Sequence, residues 1–77
     1  MQTLSEVPIG TPVTVAKIQA SAAFVGRLQD MGLTRGTSVT CLFAAPRGNP
    51  RAYRVRGGIV VMRNVDASKI SVKLGNK

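Results

Sequence analysis

"RAYRVRGGIVVMR", residues 51–63, decides the fold. Its first half alternates: Tyr53 and Val55 fall on one face of a strand, Arg54 and Arg56 on the other. Gly57 and Gly58 then supply turn chemistry, and the apolar run "IVVM" carries the chain back. Two short strands joined by a glycine turn read as a hairpin. If Val60 and Met62 point into a core, Ile59 and Val61 point out of it. Two readings of that outward pair stay open. It is an apolar docking surface beside arginines, or a face covered on both sides in a tight barrel.

Working upstream, "APRGNP" from Ala45 is a loop, because Pro46, Gly48, Asn49 and Pro50 all favour turns. "GTSVTCLF" from Gly36 alternates again and predicts a strand. Val39, Cys41 and Phe43 are expected on its core face, with Ser38, Thr40 and Leu42 opposite. "SAAFVGRLQDMGL" from Ser21 predicts one short helix. Ser21 is a suitable N-cap, and Phe24, Leu28 and Met31 share one helical face. Gly32 suits the left-handed residue after a helix, and Leu33 can pack back on the last turn. "PVTVAKIQA" from Pro12 reads as a strand with a bulge, because Ile18 falls out of phase with Val13 and Val15. Downstream, "VDASKISVKL" places a short turn at Asp66 and a last strand over about 70–74. About five strands and one helix predict an all-β small barrel, since closure removes exposed sheet edges. Residues 1–77 are read as a single domain.

Eleven Lys and Arg stand against three acids, a formal net charge of +8. That balance attracts an acidic protein surface, nucleic acid or anionic lipid. One cysteine, Cys41, allows no internal disulfide, which fits a reducing compartment, and its place between Val39 and Phe43 reads as a small buried hydrophobe. "MQTLSEVPIG" lacks the basic and apolar regions of a signal peptide, and no apolar run reaches membrane-spanning length. A cytoplasmic protein is expected.

Histidine is absent, and Glu6, Asp30, Asp66 and Cys41 are scattered, so no metal site is expected. The same poverty of titratable groups argues against an enzyme, and the glycine spacing matches neither a P-loop nor a dinucleotide fingerprint. No cofactor is expected. Arg47 and Arg51 in the loop, with Arg54 and Arg56 on the strand, form a candidate anion-binding ridge. Against it stands the plain need of a half-buried strand for a polar outer face. Phe24, Phe43 and Tyr53 all fall on expected core faces, which argues against a base-stacking nucleic-acid module.

Four blocks now stand in order: "LSEVPIGTPVTV", "RLQDMGLTRGTSV", "APRGNPRAYRVRG" and "MRNVDASKISV". Together, over about residues 4–72, they resemble the ferrous-iron transport protein A (FeoA) family. The shared pattern falls on Leu28, Met31, Gly32, Leu33 and Gly36, on Pro46, Gly48, Pro50 and Gly57, and on Met62, Arg63, Asp66, Ala67 and Ile70. Most of these have structural readings, so they identify a fold better than a site. The resemblance implies an SH3-like barrel with a helix inserted after the first strand. It implies a regulatory accessory of ferrous-iron uptake, with the membrane transporter FeoB as partner. The chain would then sit in the cytoplasm, held near the inner membrane by that partner. On this reading Arg47, Arg51, Arg54, Arg56, Ile59 and Val61 are the expected partner-binding residues. The alternatives are a basic nucleic-acid-binding module and a self-associating barrel.

Overall fold

The computed structural model describes residues 2–74. Its strands are β1 (Gln2–Thr3), β2 (Pro12–Ile18), β3 (Ser38–Ala44), β4 (Arg51–Val55), β5 (Gly58–Met62) and β6 (Ile70–Leu74). They form one antiparallel sheet in the order β1-β6-β2-β3-β4-β5. A 3-10 turn (Leu4–Glu6) follows β1, helix α1 (Ala22–Asp30) is inserted after β2, and a one-turn helix α2 (Asn64–Ala67) links β5 to β6. The sequence predicts the hairpin, the inserted helix and the last strand. It misses the two-residue β1, and α2 stands where only a turn at Asp66 is expected.

The hairpin turn falls one residue earlier than the glycines imply. Val55 pairs with Gly58, so Arg56 and Gly57 form the two-residue loop. Both have positive φ, 51° and 84°, which matches the right-handed twist of the flanking strands. Arg56 is therefore a turn residue and does not continue the outer face of β4.

Helix α1 begins and ends as its sequence predicts. Ser21 Oγ accepts from the Phe24 N–H at 3.2 Å. At the other end the Leu33 N–H reaches the Leu28 carbonyl at 2.8 Å, and the Gly32 N–H reaches that of Gln29 at 3.0 Å, the Schellman pattern. Gly32 has φ +87°. Leu28 and Leu33 are fully buried, while Phe24 is half-buried. Met31, expected on the core face, is exposed. It is the C-cap, outside the helix proper, so the helical phase no longer governs its direction.

The core gathers inward residues of all the longer strands: Val13 and Val15, Val39 and Cys41, Tyr53 and Val55, Met62, Ile70 and Val72. The expected bulge in β2 lies between Val15 and Lys17. A second, unexpected register shift lies between Cys41 and Phe43 in β3. With two residues of β3 opposite one of β4, Phe43 changes face, and the ring expected in the core is 59% exposed.

The two terminal strands of the sheet, β1 and β5, do not pair with each other. Side chains close the seam instead. Tyr53 donates its hydroxyl to the Leu4 carbonyl at 3.1 Å. Arg51 donates to the carbonyls of Ser5 and Val7, both at 2.5 Å. The 3-10 turn also packs against α2. Burial pushes the Tyr53 phenol up to about 12, against the smaller opposing pull of the Arg51 cation.

Candidate docking surface

Register determines which side chains stand together on the outside of β3, β4 and β5. Phe43, Ala52 and Val61 form one cross-strand row, and Thr40, Arg54 and Ile59 form another. Ile59 and Val61 are each 64% exposed, as the outward reading of "IVVM" requires. Ala52 sits between Phe43 and Val61 and is only 1% exposed. The result is an apolar strip with Arg54 at its side. Phe43 belongs to this surface, and sequence alternation assigns it to the core.

The six expected partner-binding residues separate into three groups. Arg54, Ile59 and Val61 share the outer face. Arg47, in the β3–β4 loop, and Arg56, at the β4–β5 turn, are exposed near opposite ends of β4, a strand roughly 14 Å long at the usual rise. Arg56 also has a local task. A Cβ added at Gly32 would lie 3.1 Å from Arg56 Cδ, and Arg56 Nη2 approaches Thr37 Oγ1 at 3.5 Å, so its stem lies over the helix exit. Thr37, itself buried, holds that exit by donating to the Gly32 carbonyl and accepting from the Thr34 N–H. Arg51 leaves the surface altogether. It is 9% exposed and engages two backbone carbonyls, so it is a closure residue and not a free contact. No local signal marks this, because Ser5 and Val7 lie more than 40 residues away in sequence.

Electrostatics favour an acidic partner on this face. Strand β4 carries arginine, none of β3, β4 and β5 carries an acid, and Arg63 follows β5 directly. The acids lie elsewhere. Glu6 accepts from the Thr3 N–H at 3.0 Å, Asp66 pairs with Lys69 at 3.8 Å, and Asp30 ends α1. Among the described residues no three His, Cys, Asp or Glu side chains come together as a metal site. Cys41 is buried. No helix among the described residues is long and apolar enough to cross a membrane. A cleft of about 380 Å³ opens between β2 and α1. Ile18, Val25 and Leu33 line it, with Lys17 and Arg35 also at its walls.

Comparison with known proteins agrees with this architecture. Residues 2–74 match the family model of the FeoA domain. A curated relative from Porphyromonas gingivalis, an Fe(2+) transport protein A/Fe(2+) transporter FeoB fusion protein, is 32% identical over 71 residues. The match takes in 92% of this chain but only 8% of that much longer protein. The solution structure of FeoA from Chlorobium tepidum is 34% identical and superposes with a TM-score of 0.88, covering 95% of this chain and 70% of that one. The crystal structure of Stenotrophomonas maltophilia FeoA complexed with zinc, an SH3-domain protein, is 28% identical with a TM-score of 0.82, covering 95% and 91% of the two chains.

Proposed function

Because this chain belongs to the FeoA family, and so to a family associated with ferrous-iron transport, we propose that it serves uptake as an accessory that docks on the cytoplasmic part of a FeoB-type transporter. The single observation that supports this most is the Porphyromonas gingivalis fusion, in which a matching domain and FeoB share one chain. Covalent linkage keeps two modules at high effective concentration, which is useful when they work together. A separate accessory needs a surface to do the same.

The docking surface in this reading is the outer strip of β3 to β5. Phe43, Ile59 and Val61 supply area that loses water on contact, while Arg54, with Arg47 and Arg56 at the ends, steers an acidic partner. Arg51 takes no part, because it is committed to the seam. The role is physical, not catalytic.

The test is a titration of the purified protein against the transporter's soluble cytoplasmic domain, with a short random DNA duplex at the same salt as control. Saturable binding to the domain, with weaker and steeply salt-sensitive binding to DNA, is the expected result. Tight DNA binding with none to the domain would instead favour a nucleic-acid module, for which Phe43 beside the arginines gives one exposed ring.

A further inference from the structure

Strand β5 is the end of the sheet, and its pairing defines which backbone groups it leaves open. In a two-residue hairpin the closing pair, here Val55 and Gly58, exchanges both hydrogen bonds, and the pattern then alternates. Gly58, Val60 and Met62 therefore turn their N–H and C=O groups toward β4. Ile59 and Val61 turn theirs away, and no other strand pairs with β5 among the described residues. The same two residues expose their side chains. An edge with free backbone groups and apolar side chains is a template for one more strand.

Resting on the docking reading above, we infer that β5 takes its partner by strand addition, receiving an extended acidic segment whose backbone pairs with Ile59 and Val61. Charge selects this occupant. Arg54 stands opposite Ile59, Arg56 lies just before β5, and Arg63 lies just after it, with no acid on β3, β4 or β5. A segment carrying Asp or Glu at both ends and small apolar residues between them complements that array. A second copy of this chain does not. An antiparallel self-pair that sets Ile59 against Val61 brings Arg63 of each copy beside the Arg56–Gly57 turn of the other. Like charges meet at both ends of the new ladder.

The probe is the capped peptide Asp-Asp-Val-Thr-Val-Thr-Val-Asp-Asp, added to the full chain. Amide hydrogen exchange at Ile59 and Val61 reports pairing directly. Exchange is expected to slow by about tenfold or more at saturation, because an edge N–H moves from water into a ladder. A peptide with N-methylated valines, and one with lysines in place of the aspartates, are expected to bind at least about tenfold more weakly. Val61→Pro removes an N–H that faces outward, so the barrel still folds while peptide affinity falls. If that variant does not fold, the N-methyl peptide alone decides. Binding without protection of these amides, equal binding of the N-methyl peptide, or no binding up to about 1 mM would overturn the proposal. Protection that grows with protein concentration and needs no peptide would overturn it in favour of self-pairing. The transporter's cytoplasmic domain separates the two readings. Domain binding that is equal for wild type and Val61→Pro refutes strand addition and takes Val61 out of the docking surface, while association with the domain stands. Peptide binding with the full pattern, but no domain binding, keeps strand addition and refutes docking on that domain.

Discussion

Arg51 and Arg54 stand three residues apart on β4 and have opposite fates. Their odd spacing puts them on opposite faces. Arg51 turns inward at the end of the barrel and gives its guanidinium to the Ser5 and Val7 carbonyls. Arg54 turns outward beside Ile59 and is exposed. One strand thus closes the barrel with its inner face and offers a surface with its outer face. The same residue type is structural where buried carbonyls need a multi-donor partner, and available for recognition where nothing buries it.

That division is broken or sharpened by substitution. Arg51→Ala has the largest expected effect on stability. It strands two carbonyls, one of them fully buried with its residue Val7, and is expected to cost about 3 kcal/mol in urea unfolding. A loss below roughly 0.5 kcal/mol would mean that the seam does not depend on the Arg51 hydrogen bonds. Gly32→Ala comes next, at about 1–2 kcal/mol, because its φ of +87° is left-handed and the new Cβ would press on Arg56 Cδ.

Tyr53→Phe removes the hydroxyl that meets the Leu4 carbonyl and is expected to cost about 1 kcal/mol near neutral pH. It also has a pH signature. The phenol titrates near 10 when unfolded and near 12 when folded, so the folded state holds its proton more tightly. Its contribution is complete below pH 10 and is lost as pH rises toward 12. Wild-type stability should fall across that window more steeply than that of Tyr53→Phe, as read by chemical denaturation at several pH values. Arg54→Glu has the smallest expected effect on stability, within about 0.5 kcal/mol. Its effect belongs to docking: affinity for the transporter's cytoplasmic domain should fall, and the deficit should shrink as salt screens it.

Much of this architecture is legible in the chain, because local rules govern it. Tyr53 and Val55 alternate, Ser21 caps, and Gly32 with Leu33 closes the helix in a pattern confined to a few residues. The rest depends on distant partners or on counts that a single strand does not reveal. Phe43 alternates correctly with Val39 and Cys41, yet the register shift against β4 carries it outside. Arg51 looks like its neighbours Arg47 and Arg54, yet carbonyls from the start of the chain withdraw it from the surface. Met31 keeps helical spacing from Phe24 and Leu28 but lies just past the last helical residue. The outward pair Ile59 and Val61 is legible because β5 has no such interruption. The strip is complete only when Phe43 joins it.

The most direct test of this division is backbone amide shift mapping of the isotope-labelled protein against the transporter's soluble cytoplasmic domain. Perturbation centred on Phe43, Arg54, Ile59 and Val61, with Arg51 and its seam quiet, is the predicted result. A map centred instead on the cleft beside Ile18, Val25 and Leu33 would contradict it and move docking to the groove between β2 and α1.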